Sequence, residues 1–356
     1  MAEGKRGKAG KRVAIAAVVI IVAFFVASFF IDKQALDESF ARVEPDYPRL
    51  LPTQDYAAGY DAEPVEFQFQ GKTLRGHVYK AAAPKGFIVF RHGITSEHAD
   101  YLALICAMVD RGWTVFAYDA IGCGTSDGDN VKGMAQSPLD VAAAVEYARS
   151  NGLVGDLPLA LWGHSWGGYG VAAALDIVPD VDACVTMSGY NSPVDVLMEF
   201  TARKLGPFAA TQYPTMWLNN KLAFGNDADR TALDGINKSN VPVLVVHGVN
   251  DQVVEFAGSS IIAQRDRITN KNVQYLAIDD KGRDGHNSYF YSVAANDYLN
   301  KVGEELKDLQ EKHPEGLPES VVSELMRDYD AKRANEANSD LINAIDTFLS
   351  ESCKAR

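Results

Sequence analysis

The chain has 356 residues, 47% of them apolar, and a net charge of −13, enough for one large α/β domain or two small ones with a sizeable core. Lys5, Arg6, Lys8, Lys11 and Arg12 against Glu3 give residues 1–12 a charge of +4, which leaves −17 for the rest. So acidic a remainder has no electrostatic footprint for nucleic acid. The four cysteines, Cys106, Cys123, Cys184 and Cys353, show no metal-binding spacing.

Residues 1–12 read as a basic cytoplasmic tail. Residues 13–31, VAIAAVVIIVAFFVASFFI, carry no charge and as a helix would extend roughly 28 Å, close to a hydrocarbon core of about 30 Å. They read as an uncleaved transmembrane anchor. The run exceeds the usual h-region of a signal peptide, about 7–15 residues; cleavage and secretion are the alternative. Positive charge before the span places the N-terminus in the cytoplasm and the rest of the chain outside. Residues 32–63, interrupted by Pro45, Pro48 and Pro52, read as a linker that becomes a surface segment, with Tyr47, Tyr56 and Tyr60 against the domain. Pro64 is a further expected break.

The domain proper spans 64–356. Val65–Phe69 alternates apolar and polar residues, Gly71 turns the chain, and Leu74–Tyr79 completes a hairpin. Gly86–Phe90 is a buried strand followed by Arg91-His92-Gly93-Ile94. Strands and helices then alternate: helix Tyr101–Asp110, strand Trp113–Tyr118, a helix capped by Ser137 with Pro138 as its first residue, and strands at Leu159–Trp162, Val181–Met187, Val241–Val246 and Val273–Ile278. Such alternation implies a mostly parallel central sheet with helices on both faces, whose ligands bind at the carboxyl ends of its strands.

Two segments break this rhythm. Residues 189–240 show no strand signal and hold Leu197, Met198, Phe200, Leu205, Phe208, Met216, Trp217, Leu218, Leu222 and Phe224. They read as a helical cap whose apolar side chains mostly pack its own core, a minority facing the substrate. Residues 290–336 read as a helical insertion divided by Pro314 and Pro318. The last helix, about 339–351, shows an apolar face at Leu341, Ile342, Ile345, Phe348 and Leu349.

The chemistry centres on Gly163-His-Ser165-Trp166-Gly167. A strand, a Gly-x-Ser-x-Gly turn and a small-residue helix form a nucleophile elbow, which sets a serine hydroxyl at the strand's end. Gly163 and Gly167 fit close backbone approach there. A serine needs a base, and the base an orienting acid. In the order expected for this elbow, Asp251 follows the strand ending at Val246, and His286 follows the strand ending at Ile278. Asp279, Asp280 and Asp284 are weaker candidates for the acid. Of the other histidines, His92, His164 and His247 read as loop holders, His77 as a strand residue, His98 as a loop residue, and His313 falls in the insertion. Cys123 lies between two glycines, but Ser165 has the better nucleophile context. Two backbone N–H donors for an oxyanion are expected from Trp166 and Ile94.

Taken together, His92-Gly93-Ile94 with Glu97-His98, Asp119-x-x-Gly122-x-Gly124-x-Ser126, Gly163-His-Ser-Trp-Gly167, His247-Gly-x-x-Asp251 and Gly285-His286 resemble the α/β-hydrolase superfamily, closest to its monoacylglycerol lipase and serine aminopeptidase (S33) branch. The resemblance covers about residues 64–290. It implies an α/β-hydrolase fold and a Ser-His-Asp hydrolase acting on carboxylic esters, sometimes amides or thioesters, without metal or cofactor. The membrane anchor and the long insertion depart from the pattern. A serine at position 165 argues against the epoxide hydrolases and dehalogenases of this fold, which use an aspartate there. The expected activity is hydrolysis of acyl-glycerol or other lipid-like esters through an acyl-enzyme, with an S33-like peptidase, amidase or thioesterase as the alternative. The expected partners are a small ester or lipid and the membrane.

Overall fold

A computed structural model describes residues 2–42 and 54–353. Gln70 and Gly71 have φ of 48° and 72° and join β1 (Asp61–Phe69) to β2 (Lys72–Lys80) through the pair Phe69–Lys72. Positive φ at both turn residues matches the right-handed twist of the two strands. Pro64, expected to break regular structure, lies inside β1. It is tolerated because β1 is the edge strand, where a missing N–H leaves no ladder bond unmade.

The remaining strands are β3 (Gly86–Arg91), β4 (Trp113–Tyr118), β5 (Leu159–His164), β6 (Ala183–Met187), β7 (Val243–Gly248) and β8 (Val273–Ile278). The sheet order is β1-β2-β4-β3-β5-β6-β7-β8; β2 meets β1 and β4 antiparallel, and every later pairing is parallel. Strands β3 to β7 are buried along their whole length, so they read as continuous apolar runs rather than alternations.

Successive side chains still point to opposite faces. Val89, Phe116, Leu161 and Val245 join one core with α3 (Ser137–Ser150) and α4 (Trp166–Ala174). Ile88, Val115, Trp162 and Leu244 join the other with α2 (Leu102–Asp110) and α11 (Ser339–Ser352). Each fully buried Val, Leu, Ile or Phe contributes about 1.5–3 kcal/mol. Ser137 begins α3 but makes no cap bond. Its hydroxyl is buried against Gly170, where an added Cβ would lie 2.1 Å from it, so its small size serves the close packing of α3 on α4.

The N-terminal helix α1 runs from Ala2 to Ser39 and includes an apolar stretch long enough to cross a bilayer. Residues 32–39, read from sequence as part of a linker, instead continue this helix. Its end is tied to the domain: Arg42 donates to the carbonyls of Ser126 and Gly128, and the Val131 N–H donates to the Phe40 carbonyl. Tyr56 and Tyr60 pack on the second core as expected. Pro45, Tyr47, Pro48 and Pro52 lie outside the described residues.

After β6 the cap forms α5 (Pro193–Leu205), α6 (Tyr213–Phe224) and α7 (Ala232–Ser239), joined by short 3-10 helices. Its apolar side chains depart from expectation. Leu197 and Met216 are buried, but Leu205, Phe208, Trp217, Leu218 and Leu222 are exposed. They lie on a face that nothing else in the cap covers. The insertion forms α8 (Val293–Lys312), α9 (Glu319–Asp328) and α10 (Ala331–Ala334) before α11.

Candidate active site

Ser165 links the carboxyl end of β5 to the first turn of α4 with φ 56° and ψ −116°. A non-glycine residue in this region stores about 1–3 kcal/mol of strain and persists only where its surroundings hold it. The glycines show what holds it. An added Cβ on Gly163 would lie 2.4 Å from the Gly167 carbonyl oxygen, and one on Gly167 would lie 2.0 Å from the Arg91 carbonyl oxygen. The elbow is thus pressed backbone to backbone against the end of β3. That contact brings the loop after β3 to the nucleophile: a Cβ on Gly93 would lie 3.5 Å from the Ser165 Cβ.

Three side chains predicted from separate loops meet here. His286 Nε2 lies 2.9 Å from Ser165 Oγ, and His286 Nδ1 lies 2.8 Å from Asp251 Oδ2. The other carboxylate oxygen, Oδ1, accepts the N–H groups of Val253 and Val254 at 2.8 and 2.9 Å. Burial acts to raise the pKa of Asp251, but hydrogen bonds from His247 and His286 outweigh it and hold the carboxyl far below the usual range. An ionised acid fixes Nδ1 of His286 as the proton-bearing nitrogen and leaves Nε2 free to accept from Ser165. The weaker acid candidates sit elsewhere. Asp280 pairs with Arg283, and Asp284 accepts from Asn250 at 2.6 Å.

The expected oxyanion donors flank Ser165. Trp166 opens α4, so its backbone N–H has no intrahelical acceptor. Ile94 follows Gly93 on the loop pressed against the elbow. Arg91 braces both sides: its Nη1 donates to the His92 carbonyl at 2.9 Å, and its guanidinium carbon lies 4.2 Å from the Trp166 ring centroid. Arg91 and its ion-pair partner Asp140, at 3.4 Å, are fully buried.

The neighbouring histidines hold loops. His92 Nε2 accepts the Ala120 N–H at 2.9 Å. His164 lies 2.8 Å from the Tyr101 hydroxyl and 3.1 Å from the His286 carbonyl, which fixes the backbone of the base. Burial, followed by the field of His286, keeps His164 neutral. Sequence reasoning missed a second role of His247, whose Nε2 lies 3.2 Å from Asp251 Oδ2. It also missed the buried pair His98–Asp119, Nδ1 to Oδ1 2.7 Å, which binds the loop after β3 to the loop after β4. The matching motif pieces Glu97-His98 and Asp119-x-x-Gly122 were the available signal. Burial pushes the Cys123 thiol up to about 12, so it carries no thiolate near neutrality.

Residues 82–226 match the family model described as serine aminopeptidase, S33. Among curated proteins, the chain is 24% identical over 211 residues to dipeptidyl peptidase family member 6 of Caenorhabditis elegans, covering 56% of this chain and 28% of that protein. It is 25% identical over 221 residues to dipeptidyl aminopeptidase BIII of Pseudoxanthomonas mexicana, covering 57% and 31%. The chain thus spans under a third of the length of these relatives. Among solved structures, the esterase Pf2001 of Pyrococcus furiosus superimposes with a TM-score of 0.54 at 16% identity, covering 86% of this chain and 100% of that one. The chain has the α/β-hydrolase fold, and its residues 82–226 carry the sequence pattern of the S33 serine aminopeptidase family.

Proposed function

We propose that the protein is a membrane-anchored serine hydrolase that cleaves carboxylic esters, with acyl-glycerols or other lipid-like esters as the favoured substrates. The observation that carries this reading is the unbroken chain of contacts from Ser165 Oγ through His286 to Asp251, at 2.9 and 2.8 Å. In the first half-reaction His286 Nε2 takes the Ser165 proton as Oγ attacks the ester carbonyl. The N–H groups of Ile94 and Trp166 stabilise the resulting oxyanion. The protonated His286 then gives its proton to the leaving alcohol, and an acyl-Ser165 remains. In the second half-reaction water loses a proton to His286 and attacks the acyl carbonyl; the bond to Oγ then breaks, His286 returns the proton to Ser165, and the acid is released. Asp251 stays ionised throughout and stabilises the imidazolium. The residues of α1 before Asp32 form the anchor, with the basic tail cytoplasmic and the domain on the other side.

A peptidase reading draws support from the names of the relatives. It requires an acidic group to receive a substrate ammonium, and three of the cap's carboxylates, Glu199, Asp227 and Asp229, are already engaged. Glu199 accepts the N–H groups of Glu255 and Ser259 at 3.0 and 2.7 Å. Asp227 pairs with Arg230, and Asp229 with Lys221. The test is a panel of p-nitrophenyl esters graded by chain length, acyl thioesters and aminoacyl anilides. Ester hydrolysis lost in Ser165→Ala supports the esterase reading. Faster turnover of aminoacyl anilides or thioesters would replace it with one of the alternatives.

A further inference from the structure

The cap's exposed apolar face has a neighbour that identifies what covers it. Helix α6 packs along α1. Its first turn and a half, with Pro214, Thr215 and Leu218, shares an apolar cavity of about 380 Å³ with Ile21, Val22, Phe25, Val26, Phe29 and Phe30. Its second half faces Phe29, Lys33, Leu36 and Phe40 across an adjoining cavity of about 250 Å³. The residues of α1 in the first cavity belong to the apolar span. Measured along the helix axis, Phe25 lies about 9 Å inside a membrane boundary placed at Ile31. The start of α6, which shares a cavity with Phe25, therefore reaches hydrocarbon depth, and its second half, beside Lys33 and Leu36, lies outside that boundary.

The sequence of that element suits such a place. Gly206 to Asn220 carries no formal charge, whereas Arg203 and Lys204 precede it and Lys221 follows. Phe208 is 75% exposed, Leu218 41% and Trp217 40%; Trp, Phe and Leu are the residues that interfacial helices bury at the headgroup and acyl boundary. Polar side chains that α6 turns toward α1 are bonded rather than bare. The Thr215 hydroxyl donates to the Asp32 carboxylate, and Asn219 Nδ2 donates to the Phe29 carbonyl at 3.2 Å. In lipid, unbonded polar groups would cost several kcal/mol each.

We propose that the cap is seated in the membrane surface: the first half of α6 and the turn before it dip into the leaflet nearest the domain, beside α1, with lipid acyl chains covering Phe208, Trp217 and Leu218, while the second half of α6 stays at the level of Lys33 and Leu36. The inference rests on the anchor reading above and is independent of the triad chemistry. It makes the cap a second point of attachment, and it fixes the domain's orientation to the bilayer where a single helix would leave it free to rotate.

Trp217 makes the test direct, because Trp113, Trp162 and Trp166 are fully buried in the domain. The full chain is reconstituted in phosphatidylcholine vesicles with or without chain-brominated phosphatidylcholine. The Trp217 signal is the emission that disappears in Trp217→Phe. Brominated lipid is expected to lower that signal about twofold and acrylamide to leave it nearly unchanged. Leu218→Asp, on an exposed position beside the apolar span, is expected to weaken the lipid quenching. Vesicle flotation separates the two readings. A chain that floats, but whose Trp217 is untouched by brominated lipid, overturns cap insertion alone, whether acrylamide reaches the residue or a protein surface covers it. A chain that does not float overturns the anchor as well. Neither outcome bears on Ser165.

Discussion

The guanidinium carbon of Arg91 sits 4.2 Å from the ring centroid of Trp166, so the last residue of β3 rests on the first residue of α4. Trp166 carries one of the N–H groups proposed to donate to the oxyanion, and Arg91 lies three residues before the other, that of Ile94. Arg91 is also half of a buried ion pair with Asp140. Removing one member of such a pair leaves an uncompensated buried charge, at a cost of about 3–5 kcal/mol. Arg91→Met is therefore expected to lose about that much stability in urea unfolding. Arg91→Met with Asp140→Leu should lose less than Arg91→Met alone. A double variant as unstable as the sum of its parts would show that the pair is not coupled.

Gly167→Ala should be inactive and markedly less stable. Its Cβ would meet the Arg91 and His92 carbonyl oxygens at 2.0 and 2.7 Å. These are backbone atoms of a central strand and its loop, so one of them has to move. Overpacking costs typically about 1–3 kcal/mol. Gly152→Ala is a useful contrast, since nothing lies within 4 Å of its Cβ although its φ is +70°. Its cost should be the smaller one of a strained turn, with activity kept. Equal activities for the two variants would contradict the close contact at the elbow.

The His98–Asp119 pair should give stability a pH signature. Burial raises the pKa of Asp119, but the charge and hydrogen bond of His98 outweigh it and leave the carboxyl far below its usual range. Burial lowers the pKa of His98, but Asp119 outweighs it and leaves the imidazole above its usual value. The depressed acid contributes stability that is present above about pH 4 and lost on acidification. The raised histidine contributes stability that is present below about pH 6.5 and lost as pH rises through its folded pKa. The Tm difference between wild type and Asp119→Asn should thus be greatest between about pH 4 and about pH 6.5 and shrink on either side. A difference independent of pH would mean that the pair acts only by packing.

The anchor reading makes a topological prediction. A reporter fused after Arg356 should be active outside the cytoplasm, because Lys5, Arg6, Lys8, Lys11 and Arg12 precede the span. Removing those charges should reduce that signal. A cytoplasmic reporter in the unaltered chain would reverse the orientation.

The fold was legible wherever local pattern and tertiary demand agree. The Gly-x-Ser-x-Gly turn, the strands of the parallel sheet and the order Ser165, Asp251, His286 all follow from chain-local signals, because each residue stands just after its own strand. Contacts between distant segments were not legible. Nothing local to His98 indicates that Asp119, 21 residues on, lies beside it; the His247–Asp251 contact, by contrast, lies within the His247-Gly-x-x-Asp251 motif, where four-residue spacing alone does not show that the ring turns toward the carboxylate. The linker reading failed at residues 32–39 for a related reason. Their charges mark the end of an apolar span, but helical structure continues there because Leu36, Phe40 and Arg42 find partners on the domain. The cap's apolar residues were read as a core because burial is the ordinary fate of such side chains. Their exposure becomes visible only once α6 is seen against α1.

The central claim is that Ser165 is an activated nucleophile, and fluorophosphonate labelling tests it most directly. The full chain is labelled in detergent beside Ser165→Ala and His286→Ala. Labelling of the wild type, absent in Ser165→Ala and strongly reduced in His286→Ala, is the expected result, since neither residue works well without the other and loss of either costs about 10⁶-fold in kcat in subtilisin. A folded wild-type protein that takes no label, or a label that persists in Ser165→Ala, would contradict it.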